Sequence, residues 1–280
     1  MKVLITGITG TLGTHVARLL LEDGHEVIGY SRDELKQVQF PWKSKCTLYL
    51  GDVRQTDRLL EAARGVEVIY HFAALKHVDK LEENPEEGVQ TNIGGTSNAL
   101  HAQRIHSIQK VVLSSTDKAC LPINLYGMTK GIAERLVLRN PNNVVCRYGN
   151  VAASRGSVIP TFVKSIEEDG CIRITDRRMT RFWVKPEDAA IFIYLQSQRP
   201  TGGLRIPQMK AYPVVSLGNL IGEILGKKPN ILEIGIRAGE KIHEDLRTDD
   251  EGGKMNSSDR SLWYTEKEMR DLIEETVNSL

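Results

Sequence analysis

The first twenty-two residues limit the fold more than any other stretch. Lys2–Thr6 is a short apolar run, Gly7-Ile8-Thr9-Gly10-Thr11-Leu12-Gly13 follows it, and Thr11–Glu22 has the spacing of an amphipathic helix. A strand, a glycine turn and a helix in that order form a cradle for phosphate. Gly7 suits the tight turn, and Gly10 would let a diphosphate reach the amide groups of the helix amino end. Gly13 would let that helix pack closely on the sheet. The spacing is G-x-x-G-x-x-G rather than G-x-G-x-x-G, so a purely structural turn stays open at this point.

The same rhythm continues. His25–Tyr30, Thr47–Leu50, Val66–Phe72, Ile108–Ser115 and Val144–Tyr148 read as strands, with long helices expected over Glu86–Ile105 and Tyr126–Arg139. Strands alternating with helices over 150 residues predict an α/β fold with a doubly wound parallel sheet. Past Asn150 the rhythm breaks into loops rich in Arg, Gly and Thr. Glu187–Ser197, entered through Pro186, reads as a helix returning to the sheet. Val215–Leu225 and Thr265–Val277 read as helices of a smaller lobe, and the polar Asp249–Ser258 as a flexible link. The expected division is 1–148 plus about 183–206 for one domain, and about 149–182 plus 207–280 for the smaller one.

A formal charge of +1 gives no general attraction to nucleic acid or membrane. No apolar stretch approaches membrane-spanning length. Cys46, Cys120, Cys146 and Cys171 lie far apart without a C-x-x-C pair, which reads as reduced thiols. The seven histidines show no metal-ligand spacing, so no metal is expected. Met1-Lys2 runs directly into a strand, with no signal peptide, and a reducing cytoplasm is the expected setting.

Reactive side chains gather at the ends of the expected strands. The second strand ends in Ser31-Arg32-Asp33-Glu34-Leu35-Lys36. An acid there would bond ribose hydroxyls, as for NAD, whereas Ser31, Arg32 and Lys36 favour the additional phosphate of NADP; Asp33 keeps the NAD reading open. Asp52 is placed to bond an adenine amino group. Ala73 and Ala74 are small enough for a ribose-phosphate to lie against the backbone, and Lys76 would overhang them. The fifth strand runs into Ser115-Thr116-Asp117-Lys118, and Pro122 then opens a helix carrying Tyr126 and Lys130 one turn apart. An ammonium one turn from a phenol favours the phenolate. A surface tyrosine and lysine are the commoner fate of such a pair, but not behind a polar strand end in a chain that opens on a phosphate cradle.

These stretches carry a resemblance. SRDELKQ (31–37), AALKHV (73–78), STDKA (115–119), PINLYGMTK (122–130) and RYGNV (147–151) resemble the extended short-chain dehydrogenases. SRGSVIP (154–160), ITDRRMTRFW (174–183) and IGIRAGEKIHE (234–244) extend the likeness nearly to the C-terminus. Within that superfamily they are similar to the UDP-N-acetylglucosamine 4,6-dehydratases that invert carbon 5, and above all to the soluble enzymes opening pseudaminic acid synthesis. The resemblance implies a Rossmann-type fold, NADP as cofactor and a UDP-sugar as substrate, in a homo-oligomer. NADP would be held by Thr9–Gly13, Ser31–Lys36, Asp52, Val53 and Ala73, beside Tyr126 and Lys130. Lys76, Asn150, Arg155, Arg178, Arg181, Arg237 and Glu240 would hold the UDP-sugar. The chain is shorter than the resemblance leads one to expect around Gln39–Cys46 and Asp249–Ser258. Ala152-Ala153 also stands where a larger or glycine-bearing pair is expected.

With that reading Tyr126, aided by Lys130 and Thr116, would oxidise carbon 4. Lys118 would remove the carbon-5 hydrogen and Asp117 would protonate the departing carbon-6 hydroxyl. Thr-Asp-Lys stands where common sugar-nucleotide dehydratases carry Thr-Asp-Glu. Alternatives on the same scaffold are a 5,6-dehydratase, a 5-epimerase, or a non-catalytic NADP-binding protein.

Overall fold

The computed structural model describes residues 1–154 and 156–278. The chain forms two compact units, Met1–Arg147 with Glu187–Ile206, and Tyr148–Pro186 with Pro207–Leu280.

In the first unit, β1 (Lys2–Thr6), α1 (Thr11–Glu22), β2 (Glu26–Ser31), α2 (Glu34–Val38) and β3 (Cys46–Leu50) alternate. They are followed by α3 (Thr56–Ala62), β4 (Val68–His71), α4 (Val78–Glu83), α5 (Pro85–Gly88) and α6 (Gly95–Ile105). Then come β5 (Lys110–Thr116), α7 (Leu125–Val137) and β6 (Val144–Tyr148). One seven-stranded parallel sheet runs in the order 203–205, β6, β5, β4, β1, β2, β3. The central strands are buried on both faces, as their unbroken apolar runs require.

Register brings the reactive ends into one row. Thr6 stands opposite both Tyr30 and His71, and His71 opposite Leu113. Gly7 and Phe72 therefore leave the sheet together along its carboxyl edge, where open α/β sheets bind ligands, while β5 runs on to Thr116.

Two expectations are corrected here. The helix expected over Glu86–Ile105 is interrupted: α5 passes through a π-helical stretch, Val89–Gly94, before α6. Gly94-Gly95 lies at that change, and widened turns of this kind put side chains out of helical phase. The expected flexible link is not a link either. Met255–Asn256 pairs antiparallel with Asp245–Arg247, after a turn capped reciprocally by Thr248 and Glu251. Polarity there reflects an exposed hairpin rather than missing structure.

The second unit has its own core, with Phe162, Trp183, Leu217, Ile221 and Leu272 among its members. Thr180–Val184 pairs with Lys210–Pro213 and with Asn150–Val151, while Cys171–Ile174 pairs with Asn230–Glu233. No helix among the described residues is long and apolar enough to cross a membrane.

Candidate active site

The glycine turn is built for close approach. Gly7 has φ +72°, a conformation costly for residues with a Cβ, and a Cβ there would lie 2.9 Å from the Ala73 amide nitrogen. A Cβ on Gly13 would collide with the carbonyl oxygens of Gly7 and Ile8. Gly13 thus seats the helix on its own turn rather than on the sheet. Gly10 is the N-cap of α1, and no side chain caps that end. The amide groups of the first turn are therefore open to an anion.

An open cleft of about 220 Å³ lies over this turn. Gly7, Thr9, Gly10, Ser31, Arg32, Asp33, Lys36, Val53, Ala73 and Ala74 line it, all of them expected cofactor residues. Thr11, Leu12, Gly13, Asp52, Tyr126 and Lys130, also expected, are not part of its lining. Tyr30, Gly51, Phe72 and Thr91 line it without having been singled out. The Asp52 carboxylate is taken up by Arg54, through the Arg54 amide at 2.9 Å and Nη2 at 2.7 Å, with Arg32 Nη1 at 3.4 Å. Asp33 caps α2 by accepting from the Lys36 amide at 3.0 Å, and its carboxylate pairs with Lys36 Nζ at 2.6 Å. These features fit a dinucleotide: a cradle a Cβ would fill, an uncapped helix end, and cationic side chains at the far wall.

Further along the same edge, β5 ends in a buried polar turn. Thr116 Oγ1 donates to Asp117 Oδ1 at 3.0 Å, and Lys118 Nζ donates to the same oxygen at 3.0 Å. Asp117 is fully buried, and its Oδ2 has no hydrogen-bond partner. Tyr126 belongs to the same group. Burial raises its phenol above the ordinary value, while the Lys118 charge and a hydrogen bond with the Thr116 side chain pull it down. The Lys118 charge, which the sequence did not single out for this, thus also acts on Tyr126. Lys130 is itself buried, and burial pushes its ammonium down to about 8, against an opposing pull from Glu134.

Asn124 caps α7 by accepting from the Gly127 amide at 2.7 Å. A Cβ on Gly127 would collide with the Lys118 carbonyl oxygen, so the helix start lies directly against the Thr116–Lys118 turn. Asn92, in the π-helical stretch, was also missed. It donates to the Leu75 carbonyl and to Thr129 Oγ1, each at 3.0 Å, and accepts from the Leu75 amide at 2.8 Å. It thereby ties the Ala74–Lys76 segment to the helix of Tyr126 and Lys130.

Lys76 is exposed in the first unit. The remaining expected substrate residues belong to the second, where they are not equivalent. Arg181 is largely buried and donates to the carbonyls of Thr180, Ile242 and Lys241, at 2.8, 3.0 and 2.9 Å. In this arrangement it fastens the 241–244 segment. Arg178 is exposed, and its bonds to Asp176 hold that carboxyl down to about 2. Arg237 and Glu240 close one turn, with Glu240 Oε2 accepting from the Arg237 amide at 3.2 Å. Asn150 donates to the Phe182 carbonyl at 3.2 Å. Arg155 lies outside the described residues.

Residues 3–266 match the family described as polysaccharide biosynthesis protein. The chain belongs to that family. Among its relatives, an enzyme of Campylobacter jejuni named UDP-N-acetylglucosamine 4,6-dehydratase (inverting) is 42% identical over 266 residues, covering 89% of this chain and 78% of the relative. A Rickettsia felis protein named UDP-glucose 4-epimerase is 36% identical, covering 91% and 80%. Among solved structures, Pen from Bacillus thuringiensis superposes with a TM-score of 0.92 at 32% identity, over 98% of this chain and 97% of that one. The dTDP-glucose 4,6-dehydratase DesIV from Streptomyces venezuelae, solved with NAD and TYD bound, gives 0.81 at 21% identity, over 98% and 96%; at that identity it supports the Rossmann-type fold alone. The family membership agrees with the likeness read from the motifs.

Proposed function

We propose that the protein is an NADP-dependent UDP-N-acetylglucosamine 4,6-dehydratase that inverts carbon 5, acting in the cytoplasm as a homo-oligomer. The observation that carries this reading is the buried Thr116–Asp117–Lys118 cluster beside Tyr126. A 4-epimerase, the name borne by the Rickettsia relatives, needs a base at carbon 4 but no acid–base pair for carbons 5 and 6. This chain has both.

In the proposed reaction Tyr126 accepts the carbon-4 hydroxyl proton, oriented by Thr116. When bound, the nicotinamide cofactor would take the carbon-4 hydrogen with its electron pair and later return it to carbon 6. The carbon-4 ketone makes the carbon-5 hydrogen acidic, and Lys118 removes it as a proton. Asp117 protonates the carbon-6 hydroxyl, which leaves as water. A proton finally returns to carbon 5 on the opposite face, so the product is the substrate less one water. Lys118 and Asp117 already share a hydrogen bond. A proton moved along it turns the ion pair into the neutral amine and acid that elimination needs, with none drawn from solvent.

For the cofactor, the lining of the cleft supports NADP. Asp33, the residue that would favour NAD, is engaged as the cap of α2 and by Lys36, while Arg32 lines the cleft with its side chain half exposed. For the substrate, Lys76, Asn150, Arg178, Arg237 and Glu240 are assigned to the UDP-sugar, with Arg181 supporting the 241–244 segment from behind. The test is incubation with UDP-N-acetylglucosamine in deuterated water, with the product followed by NMR. Loss of the carbon-6 hydroxyl with one deuteron at carbon 5 is expected. No turnover of any UDP-hexosamine would overturn the reading, and retained configuration at carbon 5 would remove the inversion.

A further inference from the structure

Behind the site lies a buried ion pair that the reaction as proposed does not use. Glu134 is two turns beyond Tyr126 and one beyond Lys130 on α7, so the three share a helix face. Its carboxylate is engaged on both oxygens. Oε1 accepts from Ser115 Oγ and from Arg147 Nε at 3.0 Å, and Oε2 accepts from Arg147 Nη2 at 2.7 Å. Only 6% of the Glu134 side chain and 5% of the Arg147 side chain are exposed. Ser115 immediately precedes Thr116, and Arg147 lies on β6, so one carboxylate fastens the end of β5, the end of β6 and the helix of the reactive pair.

We propose that Glu134 is a positioning residue of the Tyr126–Lys130 couple, clamped by Ser115 and Arg147 so that its negative charge keeps the Lys130 ammonium protonated and sets the upper pH bound of carbon-4 oxidation. This inference rests on the dehydratase reading for its consequence, but not for its geometry. A buried ion pair is weak evidence for stability, because desolvation of two charges offsets their attraction; here it has an electrostatic neighbour to act upon. Among the described residues, Glu134 on its own helix and His71 from β4 interact electrostatically with Lys130. The other charged and titratable groups of the adjoining strand ends and of this helix face are Asp117 and Lys118 from the turn after β5, Arg147 from β6, and Tyr126. His71 is kept neutral by burial and by the Lys130 charge. Asp117 is bonded to Thr116 and Lys118. Glu134 is the neighbour whose charge supports the Lys130 ammonium against its burial.

The test follows the titration of Lys130 itself, independent of turnover. In protein carrying 13Cε-labelled lysine, the Lys130 signal is assigned with Lys130→Arg and its midpoint read from the NMR shift. Glu134→Gln keeps the shape and removes the charge. Its midpoint is expected to fall by about one unit, as for a lost opposite charge one helical turn away. Should Arg147, left unpaired, prevent folding, the double variant Glu134→Gln/Arg147→Met removes both charges and is read in the same way. The alkaline limb of the single-turnover carbon-4 oxidation should move down with the midpoint. A merely structural role would lower the melting temperature and leave the midpoint in place, which overturns the proposal. If the wild-type protein turns over no UDP-hexosamine, the dehydratase reading fails while the titration still decides the role of Glu134.

Discussion

Asp117 and Lys118 are adjacent in sequence and bonded in space, and their division of labour can be separated by substitution. Tyr126→Phe should stop the reaction before carbon 4 is oxidised, with no absorbance from reduced nicotinamide in a single-turnover mixing experiment. Lys118→Ala should still oxidise carbon 4 but slow elimination by about 10²–10⁴-fold, the usual effect of a lost general base, so that absorbance rises and stays. Near-normal product formation by Lys118→Ala would remove that residue as the carbon-5 base. At the other end of the cleft, Arg32→Ala should weaken NADP by about 1.5–3 kcal/mol, the range for a hydrogen bond to a charged group. Calorimetric titration checks it: NAD affinity should change far less, and equal losses for both cofactors would sink the assignment of the 2′-phosphate to Arg32.

At the scale of elements, the placement of α7 against the Thr116–Lys118 turn depends on Gly127. In a helix interior alanine is favoured over glycine by about 1 kcal/mol. Here the added methyl would meet the Lys118 carbonyl, and overpacking of that kind costs about 1–3 kcal/mol. Gly127→Ala should therefore lower turnover at least tenfold (by about 1.4 kcal/mol or more in the barrier) with little change in cofactor affinity. A variant with normal turnover and a raised melting temperature would show the approach to be loose. Gly127 also illustrates what could be read beforehand. The strands of the first unit were legible because both their faces are buried, so they are continuous apolar runs. The ends of those strands were legible because Gly7, Arg32, Asp117 and Tyr126 are polar or glycine residues next to such runs. Glu134, Arg147 and Asn92 were not legible. A buried polar residue in a helix or strand has the same letter as an exposed one, and only its partners distinguish it. Arg181 shows the same limit, since an arginine that fastens backbone carbonyls has the same letter as one that awaits a phosphate.

The molecule as a whole carries a built-in sensitivity to acid. His71 is fully buried, with Nδ1 2.8 Å from Thr6 Oγ1, and burial together with the Lys130 charge lowers it from 6.5 to about 3. The unfolded chain therefore binds a proton between about 6.5 and about 3 that the folded chain refuses. Stability from this group is full above 6.5 and is lost as pH falls toward 3, by on the order of 4 kcal/mol. His71→Asn should flatten that part of the curve in denaturant melts taken from pH 7 to 4. An unchanged slope would mean that other groups govern acid unfolding.

The large sheet is not finished in one pass of the chain. Val144–Tyr148 closes a six-stranded array, and the seventh strand, Gly203–Arg205, arrives some sixty residues later to pair with Val144–Cys146. During synthesis, β6 therefore leaves the ribosome as a bare apolar edge, and such edges recruit other chains. Translation that stalls between Arg147 and Thr201 leaves a nascent protein with its cradle formed and its flank open. The order of the gene thus leaves this edge uncovered for as long as residues 149–202 are being made.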